Sequence, residues 1–140
     1  MQSKYVYPAV FTKEGEQYSV AFPDIGGCYT CGDSLVEAVS NAQDALCLML
    51  YDMEESGEVI PAPSDALDIE KTLGDNEFIS LVSCDTLEYR QYFDQKAVKK
   101  TLTIPSWLNT LAEREGINFS SVLQAALKRT LGIESNVARG

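Results

Sequence analysis

The last third of the chain carries more apolar side chains than it can hide by itself, and this constrains its fold more than any other feature. Lys99-Lys100-Thr101-Leu102-Thr103-Ile104-Pro105 alternates as a strand does, with Leu102 and Ile104 on one face and Lys99, Thr101 and Thr103 on the other. Pro105 suits the opening of a helix, because its fixed φ fits the first turn and its missing N–H is not needed there. That helix turns Leu108, Leu111 and Ala112 inward with Trp107 alongside, and Gly116 closes it. Asn118 then caps a second helix carrying Phe119, Val122, Leu123, Ala126, Leu127, Thr130 and Leu131, which Gly132 stops. A unit of one strand and two short helices, below roughly 40 residues, is marginal alone. A two-fold dimer resolves the difficulty: the strands pair antiparallel and four helices share one core. Leu102, Ile104, Trp107, Leu111, Val122, Leu123 and Leu127 are the residues expected in that core.

The same pairing would place two copies of Lys99, Thr101 and Thr103 on one face of a two-stranded ribbon, a shape that fits the major groove of duplex DNA. The unpaired amides opening the second helix, near Asn118 to Ser121, would hold a backbone phosphate, with Asn118, Phe119 and Ser120 as the expected contact residues. Lys128 and Arg129 read most simply as a solvated face that complements the helix dipole.

Charge divides the chain at the same place. Met1 to Asp94 holds 4 basic and 18 acidic residues, a net of −14, whereas Gln95 to Gly140 holds 7 basic and 3 acidic, a net of +4. Screening confines the acidic body's repulsion to about 8–10 Å, so the basic part can still meet phosphates. The split implies two partners of opposite charge. It also sets the expected domains: 1–94, 95–134 and a short tail, 135–140. No apolar run approaches the ~20 residues a membrane span needs, and no basic-then-apolar leader opens the chain. A cytoplasmic protein with no membrane partner is expected.

The first 94 residues read as an antiparallel sheet with a packed helix. Lys4 to Phe11 and Gln17 to Phe22 make a hairpin around Lys13-Glu14-Gly15-Glu16, with Pro8 at a position an edge tolerates. Cys28 to Cys31 forms a short third strand. A long helix runs from Ser34 to about Ser56, opened by the capping box Ser34-Leu35-Val36-Glu37. Its expected inward stripe is Val36, Val39, Ala42, Leu46, Met49 and Met53. Residues Glu58 to Asn76 are loop, with one helical turn near Ala66 to Leu73; Phe78 to Val82 is a fourth strand. A short helix capped by Asp85 then runs to Phe93, with Leu87 and Tyr92 as its apolar positions.

Two resemblances follow. Lys99 to Gly132 resembles the ribbon-helix-helix family, with Lys100 standing where an apolar residue is commoner. The first half resembles the HicB antitoxin family in Tyr7-Pro8-Ala9-Val10-Phe11, in Phe22-Pro23-Asp24-Ile25-Gly26-Gly27-Cys28 and in Gly32-Asp33-Ser34-Leu35-Val36-Glu37-Ala38. The resemblance implies an α+β chain: a truncated, catalytically dead RNase H-like domain plus a C-terminal ribbon-helix-helix domain. It implies that the first domain masks a small basic RNA-cleaving toxin, HicA, and that the tail represses the operon encoding both. The expected partners are thus a HicA-like toxin, operator DNA and further copies of the chain, as a dimer or a tetramer. No catalytic residue, cofactor or metal is expected.

Other readings carry less. Cys28 and Cys31 have the spacing of a redox or zinc pair, but the chain has no histidine and two more ligands would be needed. Cys47 and Cys84 read as core residues. Asp24 and Asp33 could hold Mg²⁺ in an active nuclease, yet turn chemistry and helix capping explain them more simply. Asp52, Glu54, Glu55 and Glu58 read as a solvated acidic face. An alternative of another class is a ribbon-helix-helix regulator whose first domain senses a small molecule in a polar-lined pocket.

Overall fold

A computed structural model of the chain describes residues 2–133; the expected tail at 135–140 lies outside them. The chain forms two compact units, Met1–Ala97 and a second beginning at Val98.

In the first unit, β1 (Lys4–Glu14) and β2 (Gln17–Ala21) form the hairpin, turned at Gly15. β3 (Tyr29–Gly32) pairs with β2, and β4 (Glu77–Asp85) returns to pair with β1 along nine positions. The result is a four-stranded antiparallel sheet in the order β3-β2-β1-β4. β1 is therefore an inner strand. Pro8 is tolerated there because β2 stops pairing at Val10, leaving only Leu81 of β4 opposite Pro8.

The long helix α1 (Leu35–Ser56) crosses one face of the sheet. Only the serine half of the capping box is formed: Ser34 Oγ accepts from the Glu37 N–H at 3.2 Å, and Gly57 ends the helix at φ +71°. The buried line of α1 is Ala38, Ala42, Leu46 and Leu50, set against Tyr7, Ala9, Phe11, Val20, Phe22, Val82 and Cys84. This corrects the expected stripe. Val36 is 82% exposed and Val39 is exposed too, while Met49 and Met53 are only partly buried. The reason lies in how closely the helix start meets β3. A Cβ on Gly32 would sit 2.4 Å from the Ala38 nitrogen, so glycine and alanine, rather than valine, occupy the crossing.

Two short helices complete this unit: α2 (Ala66–Glu70), which lies by β4, and α3 (Thr86–Phe93), which lies against α1. Asp85 caps α3 by accepting from the Leu87 and Glu88 amides, as expected. Its buried position, however, is Thr86, and Tyr92 points to solvent.

The second unit holds α4 (Ser106–Arg114) and α5 (Phe119–Leu131), joined through Gly116 at φ +66°. Pro105 is the residue before α4 rather than its first turn, with ψ 142°. Residues 94–105 carry no regular secondary structure. The strand expected at 99–104 is thus not formed within one chain, since a strand exists through its pairing and this segment has no partner among the described residues.

Candidate functional site

The candidate nucleic-acid face begins in that irregular segment. Lys99, Thr101 and Thr103 are all exposed. At the start of α5, Asn118 accepts from the Ser121 N–H at 3.1 Å, so one of the amides open to a phosphate is already satisfied. Phe119 is the first helical residue, and Ser120 Oγ takes a bond from Gln124 Nε2 at 3.1 Å. Lys128 and Arg129 sit in the exposed last turn of α5.

The residues expected to form a shared core are open. Neither α4 nor α5 buries a single residue. Leu102, Ile104, Trp107, Leu111, Val122 and Leu127 are exposed, Trp107 by 66%; Leu123 alone among the seven is half-buried. Amphipathic helices of this length bury an apolar face when a surface is offered, and none of the described residues of this unit offers one.

The first unit carries its carboxylates differently from the sequence expectation. Glu54, read as solvated, has a side chain only 16% exposed. It accepts from the hydroxyls of Tyr5 and Thr86, each at 2.9 Å, and from Arg90 at 3.1 Å. Arg90 also bonds Glu55, and its guanidinium lies 4.7 Å over the Tyr51 ring. This network ties the end of α1 to β1 and α3. Sequence pattern gives no sign of it, because Glu54 and Arg90 stand 36 residues apart.

Asp24 and Asp33 have separate occupations. Asp24 accepts from the amide of Ser64 at 2.9 Å and from its hydroxyl, a contact across the long loop rather than the local turn expected. Asp33 accepts from Gln17 Nε2 at 3.3 Å. Among the described residues no three His, Cys, Asp or Glu side chains are placed to hold a metal ion. Cys28 belongs to the core, where burial pushes its thiol up to about 11, whereas Cys31 is exposed. No described helix is long and apolar enough to cross a membrane.

An antiparallel sheet under one long helix, followed by a pair of unburied amphipathic helices, makes this an α+β protein, and the comparisons with known proteins give it a family. Residues 7–126 match the family described as the HicB-like antitoxin of bacterial toxin-antitoxin systems. A chain of a toxin-antitoxin complex from Streptococcus pneumoniae is 32% identical, with a TM-score of 0.55 over 91% of this chain and 99% of that one. The antitoxin HicB of Burkholderia pseudomallei shares the fold, with a TM-score of 0.51 at 22% identity over 91% and 98% of the two chains. A 14.9 kDa protein from the rep-hol intergenic region of Haemophilus phage HP1 (strain HP1c1) is 30% identical, over 74% of this chain and 75% of that protein. The chain belongs to the HicB-like antitoxin family, and its role is that of an antitoxin in a toxin-antitoxin system.

Proposed function

We propose that the protein masks a small basic RNA-cleaving toxin of the HicA kind with its first unit, and represses its own operon through its second unit as a ribbon-helix-helix dimer. The observation that carries the dimeric DNA-binding half is that α4 and α5 bury none of their apolar residues, beside a segment, 99–104, that alternates in sequence and has no strand partner among the described residues. A second copy supplies both the missing strand and the missing cover. Leu102, Ile104, Trp107, Leu111, Val122, Leu123 and Leu127 then form the shared core. Lys99, Thr101 and Thr103 read the groove, while Asn118, Phe119 and Ser120 position a phosphate.

The masking half rests on charge and family. A surface of net −14 steers a basic protein toward it. The sheet-and-helix layout suits a truncated RNase H-like fold that binds without cutting. Co-expression with the product of a small basic reading frame next to its gene tests this half: copurification supports masking, and separate elution or the lack of such a frame contradicts it. Gel retardation on the operon's own promoter tests the other.

A small-molecule sensor is the second reading. A cavity of about 560 Å³ lies between Val10, Pro23 and the α2 region, lined in part by Asp65, Asp68 and Glu77. Its carboxylates are already engaged: Asp65 caps α2, Asp68 pairs with Lys71 at 3.7 Å, and Glu77 accepts from Gly74 N–H at 2.8 Å. A ligand that changed operator affinity would favour this reading.

A further inference from the structure

Where α3 lies against the second half of α1, the surface is aromatic at its centre and acidic around it. The rings run in contact: Tyr51 to Tyr89 at 5.2 Å between centroids, Tyr89 to Phe93 at 4.6 Å, and Phe93 to Tyr92 at 4.7 Å. Yet Tyr92 is 77% exposed and Phe93 65%. An eight-residue helix that buries only Thr86 therefore leaves two aromatic side chains, Tyr92 and Phe93, on a face that water covers, with Tyr89 half-buried beside Phe93. Contiguous exposed rings of this kind mark contact surfaces.

Carboxylates surround the rings. Asp94 accepts from the Tyr51 hydroxyl at 3.3 Å. Burial, together with the nearby Asp52 and Asp44 carboxylates, pushes the Tyr89 phenol up. Arg90, the cation on this face, is already committed to Glu54, Glu55 and the Tyr51 ring. It shows in miniature what the surface accepts: a guanidinium held between a ring and a carboxylate.

We propose that this face is the docking surface for a basic protein, seating an arginine-bearing segment against Tyr92 and Phe93 with Asp52 and Asp94 as its ion partners. The proposal rests on the masking reading above and names the surface that does the masking. A second copy of the same unit is the poorer occupant, because it would bring like carboxylates against these, and like-charge juxtaposition costs several kcal/mol. Tyrosine and arginine are also the residues that most often dominate interface energetics.

The test measures binding of the small basic toxin encoded beside this chain by the full-length protein and by Tyr92→Ala, Phe93→Ala and Asp94→Lys. Tyr92 carries the safest substitution, since its ring is mostly in water, and thermal melts of all three variants confirm that the fold is kept. Each variant is expected to bind roughly tenfold to thirtyfold more weakly, with operator retardation unchanged. Full affinity in folded Tyr92→Ala and Asp94→Lys overturns the surface and leaves masking in place. Absence of toxin binding by the unaltered chain overturns masking itself, and the surface with it. A change of oligomeric state or operator affinity without a change in toxin binding assigns the face to a second copy and also overturns the proposal.

Discussion

Leu46 and Val36 lie on the same helix, ten residues apart, and the structure gives them opposite weight. Leu46 is fully buried on the sheet, whereas Val36 is 82% exposed. Leu46→Ala should cost about 2–5 kcal/mol of stability, and Val36→Ala should stay within about 0.5 kcal/mol; urea unfolding of the two variants measures both. Tyr5 adds a dependence on pH. Burial and its bond to Glu54 push the phenol up to about 12, from an ordinary value of 10.0. A group that holds its proton longer when folded contributes stability that is complete below the unfolded pKa and is lost as pH rises through the folded one. Stability should therefore fall between pH ~10 and ~12, and Tyr5→Phe should shrink that fall, as read by unfolding midpoints across the range. At this scale the sequence is a partial guide. Its periodicity identifies α1, but Leu35, Val36 and Val39 supply a second apolar line, and pattern alone cannot say which line meets the sheet. The Glu54 network was illegible because its members come together only through the fold.

At the scale of elements, what is legible is what local chemistry dictates. Ser34, Asp85 and Asn118 each cap the helix their position implies, and Gly57, Gly116 and Gly132 each turn left-handed after one. The hairpin and the fourth strand appear near the expected places, although β1 continues to Glu14, where it pairs with Gln17 of β2, and β4 to Asp85, where it pairs with Lys4 of β1. Crossing geometry is not legible. Nothing in the sequence marks Gly32 as the place where β3 meets the Ala38 backbone. Gly32→Ala should cost about 1–3 kcal/mol through overpacking, and a melting temperature unmoved by the change would place β3 farther from α1. The segment 99–104 is the converse case, patterned as a strand but lacking a strand neighbour among the described residues. Lys99→Ala and Thr101→Ala should abolish operator retardation while leaving oligomeric state and toxin binding intact. Loss of the lysine should also flatten the salt dependence by nearly one unit per phosphate contact removed. Retained operator affinity in both would displace the assigned face.

On the proposed function, two units of opposite charge would meet two kinds of partner, and the second would hold its shape through a further copy of the chain. The first unit has its own core between α1 and the sheet. The second has none among the described residues, since α4 and α5 bury nothing. On that proposal DNA recognition would depend on sharing those helices, because two strands from two chains would be needed to make a ribbon. Sedimentation equilibrium of the full chain beside its Leu127→Glu variant addresses this most directly. The unaltered protein should sediment as a dimer or a multiple of one, and the variant as a folded monomer that no longer retards operator DNA. An unaltered chain that sediments as a monomer and still binds its operator would contradict the account.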